Sequence, residues 1–138
     1  MRMRTLPLLM LPAIWLGACT QTQAEVERAQ VREAGVQEKL AKELAGLVPG
    51  KPESCISQFP QKQSSGYGAT ILYRVNNGLV YRSDTVGGCE GIGRGDILVT
   101  RTPSGQLCRG DIAQTFDQVA RFPTGSCSFG EFVPYRKP

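Results

Sequence analysis

Apolar positions fall along this chain in three regimes, and each predicts a different kind of element. Residues 6–16 form a nearly unbroken apolar run behind two cations, Arg2 and Arg4, and lead into small residues at Gly17 and Ala18. The run is about half of the roughly 20 residues that a permanent transmembrane helix requires, so it reads as the centre of a secretory leader. Residues 25–48 are rich in Glu, Ala, Gln, Lys and Leu, which favour helix. Within them Val36, Leu40, Leu44 and Leu47 recur at steps of four, four and three, which places one apolar stripe on a helix. Glu38 and Lys42 add an i,i+4 charge pair on its surface. The spacing predicts a firm helix over 36–48, extendable back to residue 24 across Gly35, with Pro49, Gly50 and Pro52 as the stop. The stripe is short for a free-standing coiled coil. It is therefore expected to pack on the domain that follows, with the polar first half as a solvated stalk, and pairing with a partner helix is the competing role.

After Pro52 the period shortens to that of strands. Residues 55–59 are expected as a first strand and 61–68 as a polar loop. Residues 69–75 and 79–82 flank Asn76-Asn77-Gly78, a hairpin signal. A three-residue loop with Gly78 left-handed would set Val75 opposite Leu79 and Tyr73 opposite Tyr81. Ile71, Tyr73, Val75, Leu79 and Tyr81 would then share an apolar face, with Arg74 and Arg82 on the other. Residues 83–95 read as a glycine-rich loop pinned by Cys89, and 96–102 as a strand. Pro103-Ser104-Gly105 is a turn, and 107–116 is a returning strand in which 111–118 has a helical turn as its alternative. Residues 123–126 are a turn, 127–135 the last strand, and Arg136-Lys137-Pro138 a basic tail. The sum is a small, mainly β domain at 49–138, an antiparallel sheet or barrel-like body, preceded by one helix at 25–48.

The tetrapeptide Leu16-Gly17-Ala18-Cys19 resembles the lipobox of bacterial lipoproteins. That resemblance implies a signal peptide at 1–18, lipid on Cys19 and a spacer over 19–24. Several acyl chains at about 0.8 kcal/mol per buried methylene hold firmly to a membrane where one chain holds marginally. Thr20 stands where an Asp would retain such a protein in the inner membrane, so the expected address is the outer membrane, facing the periplasm.

Assigning Cys19 to lipid makes the remaining cysteines even in number. Cys55, Cys89, Cys108 and Cys127 in an exported domain of this size read as two disulfides, which a small core needs. Of the three connectivities open to four cysteines, the nested pair Cys89 to Cys108 and Cys55 to Cys127 is preferred, because it would tie the domain ends together. Gaps of 34, 19 and 19 residues without any His do not suit a metal site. Loss of Arg2 and Arg4 with the leader lowers the formal net charge from +4 to +2, too small a surplus to indicate nucleic acid.

Two segments, Cys108-Arg109-Gly110-Asp111-Ile112 and the run from Gly125-Ser126-Cys127 to Val133-Pro134-Tyr135, are similar to the C-terminal signature of an uncharacterised family of small exported proteobacterial proteins. Leu44-Ala45-Gly46, Gly50-Lys51-Pro52 and Thr70-Ile71-Leu72-Tyr73-Arg74 resemble its lipoprotein members from sphingomonads. The resemblance implies a domain of unknown function and carries no activity with it.

The absence of His removes every mechanism that needs an imidazole, and oxidation of the four cysteines would remove thiol chemistry. Asp84, Glu90, Asp96, Asp111, Asp117 and Glu131 remain. A carboxylate pair of the glycosidase kind would need a sugar cleft that so short a domain has little room to build. Arg-Gly-Asp occurs at 94–96 and 109–111. Each copy reads as a glycine turn in which the Asp side chain bonds local amides, and Asp111 is the candidate for a structural carboxylate paired with an arginine. Gly87-Gly88 and residues 91–95 lack the context of a phosphate loop. No catalytic, cofactor-binding or metal residue is therefore assigned. The expectation is a non-enzymatic, lipid-anchored envelope module that binds an envelope protein or a polymer such as peptidoglycan or lipopolysaccharide, with Arg74 and Arg82 as a candidate face. The alternative is an inhibitor of an envelope hydrolase such as lysozyme, acting through a protruding loop at 61–68 or 87–95.

Overall fold

The computed structural model describes residues 21–60 and 62–138, so the leader, the Cys19 anchor position and Thr20 lie outside the described residues. The elements are helix α1 (Gln23–Glu43), β1 (Val48–Pro49), β2 (Cys55–Ser57), β3 (Gln63–Tyr67), β4 (Thr70–Asn76) and β5 (Leu79–Gly87). A 3₁₀ turn (Glu90–Arg94), β6 (Ile97–Thr100), β7 (Gln106–Cys108), β8 (Ile112–Phe116) and β9 (Pro123–Arg136) complete them. The protein is mainly β with one helix, its principal sheet antiparallel and curled into a half-barrel.

Helix α1 begins on a capping box: the Glu25 N–H donates to Thr22 Oγ1 at 3.3 Å and the Thr22 N–H to Glu25 Oε2 at 2.8 Å. It ends at Glu43, short of the expected 48, with Gly46 just beyond in the left-handed region at φ 75°. The early stop frees Val48 and Pro49 to pair with Arg136 and Tyr135 of β9. The stripe survives the stop. Leu40 is buried with Leu72 and Val80, and Leu44 and Leu47 pack on the same cluster together with Tyr67 and Tyr135. Residues 23–34 of the helix are exposed.

The sheet runs β3-β4-β5-β9-β8-β6, with β1 paired to the far end of β9. Its concave side holds Ile71, Tyr73, Ala113, Phe129 and Phe132. A separate ribbon, β2 against β7, closes that side by adding Ile56 and Leu107. The hairpin of β4 and β5 keeps Tyr73 opposite Tyr81 as expected, but Asn76, not Val75, stands opposite Leu79. The loop is two residues long, braced by the Gly78 N–H donating to Asn76 Oδ1 at 2.8 Å, and Gly78 is not left-handed. A two-residue loop alone would have set Arg82 against Tyr73. The bulge between Arg74 and Asn76 absorbs one residue and restores the tyrosine pair. The far face of the hairpin is not purely polar, because Leu72 and Val80 lie there beneath α1.

Three further expectations are corrected. Part of residues 61–68 is strand β3 rather than loop. The stretch 107–116 is broken at Gly110, φ 90°, into β7 and β8. The pairing of cysteines is Cys55–Cys108 and Cys89–Cys127, not the nested set. Cys55 and Cys108 stand directly opposite in the β2–β7 ribbon, with Cα atoms 4.0 Å apart. Cys89 follows β5, whose last residue, Gly87, is paired with Cys127 of β9.

Because only the second half of α1 is anchored, Leu40→Ala is expected to cost about 2–4 kcal/mol, whereas Val31→Ala, at a position 69% exposed, should stay within about 0.5 kcal/mol. Urea unfolding of the two variants measures both, and equal losses would mean that the helix is anchored along its whole length.

Candidate functional site

A curled sheet that does not close leaves two free edges, here β3 and β6. Ser64 of β3 stands opposite Tyr73, and on β6 Leu98 and Thr100 stand opposite Thr115 and Ala113. Residues directly opposite in an antiparallel pair share a face, and Tyr73, Thr115 and Ala113 are all buried. Ser64, Leu98 and Thr100 therefore turn toward the concave side. Between the edges lies an open cleft of about 450 Å³. Its apolar walls are Leu98, Leu107 and Phe59, its polar groups come from Gln58, Ser64, Thr100 and Lys62, and Tyr73 lines it as well. A wider hollow of about 1260 Å³ continues along the same seam, between α1, β3 and the 3₁₀ turn.

Tyr73 is the unusual residue here. Its ring packs at 6.1 Å from Phe129 and 6.2 Å from Phe132, centroid to centroid, and the residue is 5% exposed. Its hydroxyl is buried and lacks a hydrogen-bond partner among the described residues. Burial pushes the phenol pKa up, so the group is a neutral O–H at every physiological pH. Lys62 stands near the rim with its ammonium donating to the Ser57 carbonyl, and partial burial pushes its pKa down.

The residues singled out from sequence have other occupations. Asp111 is half-buried and accepts from the Cys108 N–H at 2.8 Å, so it braces the turn between β7 and β8. The neighbouring Arg109 pairs with Glu131 instead, at 3.3 Å. Asp96 of the other Arg-Gly-Asp accepts from Thr124 Oγ1 at 2.6 Å and sits over Gly91, where a Cβ would fall 2.0 Å from Asp96 Oδ2. Asp84 accepts from Thr70 Oγ1 at 2.6 Å and from Arg82 Nε at 3.0 Å. Asp117 accepts the N–H groups of Ala120, at 2.7 Å, and Val119, at 2.8 Å, which hold its carboxyl below the ordinary value of 3.8.

Neither arginine of the candidate face is a free cation. Arg74 donates to Glu43 at 2.7 Å, which ties β4 to the end of α1. Burial works against the charge of Arg82, but Asp84 and Tyr135 outweigh it and hold its pKa up. The cysteine pairs occupy all four thiols of the domain. Among the described residues no three His, Cys, Asp or Glu side chains are grouped to hold a metal ion, and no helix is long and apolar enough to cross a membrane. Tyr73 and Lys62 were not legible as a site. Strand spacing marks Tyr73 as core, and the signal within that reading is that a core tyrosine carries a hydroxyl in need of a partner.

Two outcomes follow from these environments. An unsatisfied buried hydroxyl costs about 1–3 kcal/mol, so Tyr73→Phe should raise the unfolding midpoint by several degrees in a domain of this size; a lower midpoint would show that the hydroxyl is already satisfied. The Asp117 carboxyl should titrate below 3.8 when followed by NMR. Its folded value lies below its unfolded one, so its contribution to stability is present above that range and lost as pH falls through the folded pKa; a midpoint at or above 3.8 would contradict the turn geometry.

Comparison with protein-family models, with curated proteins and with solved structures found no match to this chain.

Proposed function

We propose that the chain is a non-enzymatic, lipid-anchored module of the cell envelope, held by Cys19 at the outer membrane and facing the periplasm, that binds an envelope protein through the uncovered outer face of its sheet. The observation that carries the reading is a row across three strands. Val86 of β5, Ser128 of β9 and Ile112 of β8 are mutually paired, and Val86 and Ile112 are 77% and 57% exposed. The row below it, Val99, Gln114 and Ser126, is paired in the same way and exposed. Helix α1 covers the outer face over Leu72 and Val80. Beyond the Arg82–Asp84 pair these two uncharged rows of Val, Ile, Ser and Gln lie on the convex side of the sheet, a composition that suits a protein contact more than a polyanion site.

The anionic-polymer version has less support, because Arg74 and Arg82 are already neutralised by Glu43 and Asp84. The hydrolase-inhibitor version looked to loops at 61–68 and 87–95. The first contains strand β3, paired throughout with β4. The second is folded around buried Cys89 and Gly91, with Ile92 against the core. Neither offers a projecting plug. Catalysis has no imidazole and no thiol to draw on, and five of the six candidate carboxylates brace turns and strands.

A photo-crosslinking residue placed at position 86 of the full chain in its native host should trap one discrete protein adduct, and the same residue at position 28 on the exposed part of α1 should not. Cys19→Ala should move the chain from the membrane fraction to the soluble fraction. Adducts of glycan or lipid alone, or the same adducts from both positions, would sink the reading.

A further inference from the structure

We propose that the cleft between the free edges of β3 and β6 is a binding site for a small carboxylate with an apolar body, whose oxygen accepts a hydrogen bond from the Tyr73 hydroxyl. The site opens to the concave side of the sheet, whereas the protein-binding reading rests on the convex side, so the two stand or fall separately. Four features of the cleft define the ligand.

The first is the Tyr73 hydroxyl, a buried donor without an acceptor. Buried polar groups in folded proteins are almost always hydrogen-bonded, and an exception points to a missing water, ion or ligand. The second is charge. Gln58, Phe59, Lys62, Ser64, Thr100 and the apolar wall include one cation and no acid, so the cleft favours an anion. Lys62 uses one donor on the Ser57 carbonyl, and an ammonium has three, which leaves two N–H groups for a carboxylate. The third is the wall. Leu98 and Leu107 face the cleft, and Phe59 leaves 75% of its surface in water at the lip, an arrangement that would cover an aromatic or short aliphatic body. The fourth is size, since about 450 Å³ lies within the range of small-molecule sites. The Tyr73 hydroxyl is buried, so a carboxylate in the cleft reaches it only when a side chain of the lining turns aside.

The test uses the full chain with its disulfides formed, carried in phosphatidylcholine nanodiscs, and 4-fluorobenzoate as the probe, followed by fluorine NMR line width. Broadening beyond that seen with empty nanodiscs is expected with a dissociation constant of about 1 mM or lower. The neutral isostere 4-fluorobenzamide should bind about tenfold more weakly. Tyr73→Phe and Lys62→Gln should each weaken the acid by about tenfold, the size of one charge-assisted hydrogen bond. Leu98→Trp, which leaves Tyr73 and Lys62 in place and fills the cleft, should abolish binding, and it keeps the test decisive if either of the other variants fails to fold. No broadening up to about 10 mM, or undiminished binding in the variants that fold, would overturn the proposal and leave the hydroxyl bonded to water only.

Discussion

Both edges of the 14-residue strand β9 are occupied, and the remaining architecture depends on that. One edge takes β5 over most of its length. The other is divided: β8 holds the first part, the backbone of Glu53 bridges Phe132, and β1 holds the end. Such crowding leaves no room for side chains where chains meet most closely. A Cβ on Gly125 would fall 1.7 Å from the Gly88 carbonyl oxygen, and one on Gly130 would fall 2.4 Å from that of Asp84. The strand also changes phase along its length. Cys127 and Phe129 are buried, then Phe132 and Pro134, because the register shifts by one residue between the pairs Thr85–Phe129 and Ser83–Phe132. That bulge lets both phenylalanines reach one core, and bulges sharpen the local bend of a strand, as a half-barrel requires.

Much of the fold was legible where a physical rule acts locally. The Val36, Leu40, Leu44 and Leu47 stripe marked the face of α1 that is covered, and the Asn-Gly turn marked the hairpin. What escaped had non-local causes. β3 carries Gln, Ser, Ser and Gly before its tyrosine and has no strand signature. It exists because β4 supplies a ladder and because Gly66 admits Ile92, whose Cβ lies 2.6 Å from where a side chain would begin. The connectivity of the cysteines depends on which strands become neighbours, and spacing carries no trace of that. A bulge and a longer loop shift register by the same amount, so pattern alone does not tell Val75 from Asn76 as the partner of Leu79.

The candidate site was less legible than the fold for a related reason. A tyrosine at a strand position satisfies every requirement of a core residue, and the question of where its hydroxyl finds a partner arises only once the strands around it are placed. Tyr73 sits between Phe129 and Phe132 on one side and the unclosed seam on the other. Phenylalanine would serve the packing as well and would leave no polar atom stranded. The charged residues most conspicuous in the sequence are already engaged: Asp111 with a backbone amide, Arg74 and Arg82 with carboxylates. Their role is to hold turns and to fasten α1 to the sheet.

The two disulfide loops interleave, since Cys55 joins Cys108 and Cys89 joins Cys127. For a chain delivered amino end first into an oxidising compartment, this sets a sequence of events. Of the four paired cysteines the first two to emerge, Cys55 and Cys89, are not partners, and an oxidase that joins these thiols as they arrive would link them to each other. The native bonds then require that this link be held off until Cys108 and Cys127 have emerged, or be reshuffled afterwards. In that setting, maturation of so small a domain would depend on the thiol-exchange capacity of the compartment.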